Sequence, residues 1–452
     1  MYSRKIVKRE DYCNKDLMRI LFIYPNPSNT LPSFIAKLLS IFSNSLIPAF
    51  KALTNVTPKE HTIDIIDERI EKIDYDDNYD LIGISVMTNQ APKAYSISDE
   101  FRKRGKKVVL GGWHPSALPE EAQQHADSIL IGEAEELWPQ LIKDKDNGKL
   151  KPIYRQETPV DLSFIPFGGN GRIKQKGINS AVAIEATRGC PHGCNFCAIS
   201  HSPGRRIFRM RPMEQVIKEI QSIPQKYLLF SDASLTINTN FTKQLFKNMK
   251  ELDKKFYCYG NANVLLNDEE LLKLAHEAGC ISWTIGFDSI SQKSLDSIGK
   301  KTNIAEQYIS VINKIHDFGM NVEGSFMFGF DTDTPDIFDS TLDFICNSEI
   351  DKAEFHILTP FPGTPLYDEL EKQNRILIKD WSKYDGKNVV YKPMHLTADD
   401  LINGIQKMYN GFYNPSNILR MIGRNVNKGL FPLITIASIS FQGLTYTIKK
   451  RV

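Results

Sequence analysis

Thr187-Arg188-Gly189-Cys190-Pro191-His192-Gly193-Cys194-Asn195-Phe196-Cys197 follows, after Ala186, the mostly apolar run Ala181–Glu185. Three cysteines fall within eight residues in the spacing C-x3-C-x2-C, while the other four of the seven are scattered. That usage fits a reducing compartment with one metal site, not a disulfide framework. Thiolates are the usual ligands of iron–sulfur clusters, four to a 4Fe–4S cube. Three would hold three irons and leave the fourth open to a further ligand, so Cys190, Cys194 and Cys197 are the candidate metal ligands. His192 makes a Cys3His zinc site conceivable. Zinc takes four ligands, however, and no second pair of Cys or His follows at zinc spacing.

Working outward, Ala181–Glu185 opens a series of strands and helices. Further strands are expected near Tyr227–Phe230, Phe256–Tyr259, Trp283–Phe287, Asn321–Phe328 and Lys352–Ile357, with helical patterns between them. This makes six β/α units, short of the eight of a full barrel. Upstream, the runs at 19–24, 62–66, 81–86, 107–110 and 128–131 read as strands separated by helices, the pattern of a doubly wound parallel sheet. Ligands of such sheets sit beyond the carboxyl ends of the strands. Those ends carry Thr88 and Asn89, then Gly111, Gly112 and His114, then Gly132 and Glu133. The double glycine would let the backbone approach a flat ligand closely.

The expected organisation is therefore α/β throughout. It has a polar leader (1–17), a Rossmann-like doubly wound domain (18–150), a connector rich in Pro and Gly (151–180), a partial (β/α)6 barrel (181–380) and a mainly helical C-terminal region (381–452). Of the 452 residues, 41% are hydrophobic and 24% charged, a globular composition. The charged start does not resemble a signal peptide, which places the protein in the cytoplasm. The net charge of +2 conceals an asymmetry: from Leu401 onward there are seven Lys and Arg and no Asp or Glu. Within that tail, residues 429–447 are uncharged and precede Lys449, Lys450 and Arg451. The stretch is too polar and interrupted to span a bilayer. It is either a helix packed on the body or a peripheral contact with the inner face of an anionic membrane. Nothing signals nucleic-acid binding.

The cysteine loop at a strand end, with Phe196 just before its last cysteine, resembles the radical S-adenosylmethionine superfamily. Asp232 in LLFSDASL, Gly286-Phe287-Asp288-Ser289, Gly329-Phe330-Asp331-Thr332 and Thr359–Pro365 resemble further segments of that superfamily. The N-terminal stretches IGISVMTNQ, GGWHPSALPEEA and ADSILIGEAEELWPQL resemble its cobalamin-binding subclass, over about residues 18–415 in all. The resemblance implies a 4Fe–4S cluster whose open iron binds S-adenosylmethionine. Reductive cleavage would then give a 5'-deoxyadenosyl radical that abstracts hydrogen from an unactivated carbon. It further implies a corrinoid that donates methyl, held without a protein histidine on cobalt, since the DxHxxG turn of the methionine-synthase type is missing.

By the same resemblance, Asp232 and Asp288 are candidate catalytic residues that hold polar groups of cofactor or substrate. Phe196 and Gly286 are candidate cofactor contacts. Arg188 either neutralises the cluster or faces solvent. Thr88, Asn89, Gly111, Gly112, His114, Gly132 and Glu133 would face the corrinoid. The implied function is C-methylation of a small molecule, with a lipid or isoprenoid suggested by the tail, and with electrons from a ferredoxin or flavodoxin. The alternatives are ring formation or oxidation on the same fold, and a corrinoid or iron–sulfur carrier without catalysis.

Overall fold

In the computed structural model, residues 17–27, 48–69, 71–164 and 181–426 are described. Nearly all of the leader, most of the connector and the uncharged tail with its basic end lie outside them.

Six parallel strands form the N-terminal sheet: β1 (Arg19–Tyr24), β2 (Thr62–Asp67), β3 (Leu81–Ser85), β4 (Lys107–Gly111), β5 (Ser128–Ile131) and β6 (Ile153–Arg155), in the order β2-β1-β3-β4-β5-β6. Both faces are covered, so the central strands are apolar at nearly every position. Ile20 and Phe22 pack with the helices Pro48–Val56 and Leu137–Asp146, while Leu21 and Ile23 pack on the opposite side with the helix Ala91–Lys103. Two details differ from the sequence reading. Residues 151–155 do not open the connector but supply β6, paired in parallel with β5. And β2 is not buried on both faces: it is an edge strand with Thr62 and Asp64 exposed.

The second sheet begins at β7 (Ala181–Ile184). The short antiparallel pair β8 (Thr187–Arg188) and β9 (Arg209–Met210) then closes the base of the cysteine loop. The parallel series resumes with β10 (Tyr227–Phe230), β11 (Lys255–Tyr259), β12 (Cys280–Asp288), β13 (Asn321–Phe328) and β14 (Lys352–Ile357), in the order β14-β13-β12-β11-β10-β7. This is the expected six-stranded open barrel. Alternate residues such as Phe326, Phe328, Phe355 and Ile357 pack outward into the helical layer. Cys258 and Cys280 lie in that core with their sulfurs 3.8 Å apart, as the small buried hydrophobes their strand positions suggest.

The chain then returns to the first sheet. Leu366, Tyr367, Trp381, Tyr384 and Tyr391 join the core on the Ala91–Lys103 side, which ties the barrel's end to the N-terminal domain. The helix Ala398–Phe412 is capped reciprocally by Thr397 and Asp400 and packs on β14. The helix Pro415–Asn425 follows. Among the described residues, no helix is long and apolar enough to cross a membrane.

Candidate active site

The cysteine loop is held from several sides. Gly189 turns it at φ +95°, and a Cβ there would lie 2.2 Å from the carbonyl oxygen of Ile207, so only glycine fits. The Cys190 amide donates to the carbonyl of Arg205 (2.8 Å), and the Asn195 amide donates to that of Ile298 (3.1 Å). The Leu366 amide donates to the carbonyl of Asn195, also at 3.1 Å. A ring nitrogen of His201 lies 3.1 Å from the Cys194 carbonyl, which makes this histidine structural.

The thiols fit a cluster by their chemistry. Burial pushes Cys194 up to about 11 and raises Cys190, and neighbouring thiols of the loop add to both shifts. Buried thiols of this kind rest protonated, and coordination to metal would deprotonate them outright. Among the described residues, no three His, Cys, Asp or Glu side chains are placed to hold a single metal ion.

Beside Cys194 stands a pair that the sequence reading half missed. Lys300 lies 2.7 Å from Asp288. Burial works against the ammonium, but Asp288 and the thiols of Cys194 and Cys197 outweigh it and hold it above the usual lysine range. Asp288 adopts φ +62° at the end of β12. A Cβ on Gly286 would come within 3.2 Å of the Lys300 Nζ and 3.3 Å of the Asp288 carboxylate. Asp288 and Gly286 are thus brought together at the loop, and the pair offers one cation and one anion there. Phe196 is partly buried against the core shared with the N-terminal sheet.

Asp232 is placed differently from the expectation. Its carboxylate accepts the amides of Ala186 and Thr187 and the Thr187 hydroxyl (2.6 Å), all within the segment that leads into the loop. Burial pushes this carboxyl up to about 7 against the pull of those donors. The carboxylate thus ties down the segment that leads into the loop. Arg188 neither faces solvent nor keeps its charge for a cluster. It is buried and forked between Glu185 (2.6 Å) and Glu135 (2.7 Å). Glu133 is likewise taken up, by Arg209 (2.6 Å) and Arg205 (3.0 Å). Burial alone would raise the Glu133 carboxyl, but Arg209, Arg188 and Arg205 overcome it and depress it to about 2. Sequence spacing could not show that these charges, far apart in the chain, meet where the two domains join.

At that junction a cavity of about 230 Å³ opens between the ends of β3, β4 and β5 and the end of β7. Gly111, Gly112, Gly132 and Glu133 line it, with Glu185 and Arg211 facing them from the barrel side. Thr88, Asn89 and His114 do not line it. His114 is fully buried in the seam with the C-terminal segment: one ring nitrogen is 3.3 Å from Glu121, and the ring stands edge-on to Trp381 at 5.4 Å. It packs the seam through Glu121 and Trp381. Gly112 sits at φ +99° and a Cβ there would lie 3.0 Å from the Val86 amide nitrogen, so this position after β4 requires glycine. Gly112→Val is expected to destabilise the fold by about 1–2 kcal/mol or more, the cost of left-handed strain alone. Thermal melting checks this, and an unchanged melting temperature would show that the turn tolerates a side chain.

Comparison with known proteins agrees with this geometry. The Radical SAM superfamily model matches residues 184–345, and the B12 binding domain model matches residues 53–142. The chain is similar to the bacteriochlorophyllide d C-8(2)-methyltransferase of Chlorobaculum tepidum, at 36% identity over 414 residues, covering 87% of this chain and 90% of that protein. It is also similar to the bacteriochlorophyllide d C-12(1)-methyltransferase of the same organism, at 32% identity, covering 83% and 84%. Among solved structures it shares the fold of the radical S-adenosylmethionine methyltransferase TsrM from Kitasatospora setae with cobalamin and a [4Fe-4S] cluster bound. There the TM-score is 0.70 and the identity 14%, covering 95% of this chain and 99% of that one.

Proposed function

Because the chain belongs to the cobalamin-binding radical S-adenosylmethionine family, within which it is a C-methyltransferase, we propose that its substrate is a tetrapyrrole of the chlorin class. When bound, the cluster with S-adenosylmethionine supplies hydrogen abstraction and the corrinoid supplies the methyl group. The residues of this chain hold and orient these groups. Cys190, Cys194 and Cys197 ligate the cluster. Asp288 and Lys300 present opposite charges beside Cys194, matching the amino and carboxylate ends of S-adenosylmethionine. Gly111, Gly112 and Gly132 form the corrinoid rim. The ion network of Glu133, Glu135, Arg188 and Arg209 keeps the two cofactor-bearing domains in one orientation.

The observation that carries the substrate reading is the similarity, above 30% identity and over more than four-fifths of both chains, to two methyltransferases named for bacteriochlorophyllide d. A lipid or isoprenoid substrate is the second reading. It is favoured by the helix Pro415–Asn425, which exposes Leu419 and Ile422, with exposed Val426 just after it and the uncharged stretch following in sequence. That surface suits a peripheral contact on the cytoplasmic face of a membrane, with a ferredoxin or flavodoxin as electron donor.

The test supplies the anaerobically reconstituted enzyme with methyl-labelled S-adenosylmethionine, a magnesium chlorin and an isoprenoid lipid fraction together. Label in the chlorin is the expected result. Label in the lipid alone overturns the substrate reading. Cleavage of S-adenosylmethionine with a new ring and no label moves the reaction to ring formation.

A further inference from the structure

Residues 186–213 hold five arginines and no Asp or Glu. Four of the five are claimed by carboxylates from elsewhere in the chain: Arg188 by Glu185 and Glu135, Arg205 and Arg209 by Glu133, and Arg211 by Glu219. Arg206 is the exception. It is exposed and has no carboxylate partner among the described residues.

An arginine of this kind ordinarily carries its head group out into water. Arg206 instead lies back on the cysteine loop. Gly193, between Cys190 and Cys194, turns at φ +68°, and a Cβ there would lie 2.0 Å from Arg206 Nη1 and 2.3 Å from its Cζ. The bare glycine gives the guanidinium its seat. The backbone joins the two segments as well, because the Cys190 amide donates to the Arg205 carbonyl at 2.8 Å. Apolar side chains are exposed on either side of this cation: Ile207 follows it, and Pro191 stands in the loop next to Cys190. A second exposed cation, Lys301, lies on the other flank, two residues after Gly299, whose carbonyl is 3.9 Å from the Cys194 sulfur. The exposed acid on that flank, Asp296, accepts a hydrogen bond from Gln292 at 2.9 Å.

A fixed cation among exposed apolar groups suits an acidic partner, since charge steers the encounter and apolar contact holds it. Electron transfer weakens steeply with distance, so a donor docks best where the cluster's ligands lie nearest the surface. A protein resting on Pro191 and Arg206 is one residue from Cys190 and one hydrogen bond from its amide. On the reading that a flavodoxin supplies the electron, we propose that it docks on the Arg206 face of the cysteine loop. The outer edge of a flavin ring is apolar, which matches Ile207 and Pro191, and acidic residues around it match Arg206 and Lys301. One electron leaves the flavin hydroquinone anion for the oxidised cluster. A neutral semiquinone and a reduced cluster remain, and no proton moves.

The test uses the reconstituted full chain and purified flavodoxin. Calorimetry reads affinity for the oxidised flavodoxin, and cluster absorbance follows reduction by flavodoxin hydroquinone or by dithionite. Arg206→Glu is expected to weaken the complex and slow reduction by flavodoxin about tenfold, and to flatten the salt dependence of both. Iron content and the extent of reduction by dithionite should match the wild type, which separates docking from damage to the loop. Ile207→Glu should act in the same direction, and Arg206→Lys should keep most of the affinity. Lys149→Glu, an exposed reversal just before β6 at the opposite end of the N-terminal sheet, should change neither readout. Affinity and rate unchanged in both Arg206→Glu and Ile207→Glu would overturn the docking face and leave flavodoxin as donor. Equal losses in Lys149→Glu would overturn it too, by showing that net charge alone governs. A wild type reduced by dithionite and by ferredoxin, but not by flavodoxin, would overturn the choice of donor together with the face.

Discussion

Replacing Cys190, Cys194 and Cys197 together by alanine is expected to take iron from about four per chain to none and to abolish S-adenosylmethionine cleavage. The size of the effect follows from the chemistry, because among the described residues only Cys258, Cys280 and Cys346 remain to take over. Cys258 and Cys280 are buried in the helical side of the barrel sheet. The brown absorbance should vanish with the iron. Cobalamin retention supplies the internal control. None of the three cysteines lines the cavity at the domain junction, so cobalt per chain should match the wild type. Loss of both metals would mean that the variant had failed to fold. Retention of iron and turnover would overturn the assignment of the loop.

Glu133→Ala carries the second largest expected effect, on stability instead of chemistry. Glu133 is 5% exposed and sits among three guanidinium groups, those of Arg188, Arg205 and Arg209. Removing the anion leaves Arg209 without its carboxylate and Arg205 with only the longer contact to Glu185 (3.6 Å), and breaking a buried pair in this way costs about 3–5 kcal/mol. The alanine variant should melt well below the wild type and become sensitive to protease at the domain junction. Glu133→Gln keeps the shape and loses the charge, so it should fall between the two. The same group gives a pH dependence. Its carboxyl titrates at about 2 in the folded protein, against an ordinary value near 4.3. Its contribution is therefore complete above about pH 4.3 and is lost as pH falls toward 2. The alanine variant should lack that part of the acid transition. An unchanged melting curve in Glu133→Ala would show that the network does not hold the domains.

Reading the strands succeeded where burial is two-sided. Runs such as Arg19–Tyr24 and Leu81–Ser85 are apolar at nearly every position because helices cover both faces, and that composition is visible in a linear sequence. The short β6 was missed because Ile153–Arg155 has a single buried residue, Tyr154, and its pairing with β5 is a long-range choice. Position in a motif also misled. His114 follows the double glycine as a corrin contact would, yet Glu121 and Trp381 claim its ring. Arg188 adjoins the cysteine loop, yet Glu185 and Glu135 claim its charge. The alternation in Lys352–Ile357 was a usable signal for a polar inner face, since a strand with helices on one side has no other reason to place three ionisable groups on the opposite one.

The sequence by itself determined the three thiolates, the two parallel sheets and the glycine-rich strand ends. Each of these is written in local spacing, whether of cysteines, of apolar period or of residues that tolerate positive φ. Only the tertiary structure decided which charges meet. Glu133 and Arg209 lie 76 residues apart and Glu121 and Trp381 lie 260 apart, and both contacts tie the N-terminal domain to later segments of the chain. A carboxylate in a sequence can serve a cofactor, a substrate or a domain seam with equal chemical ease. The cost of burying a charge without a partner selects among them, and that cost exists only once the chain is folded.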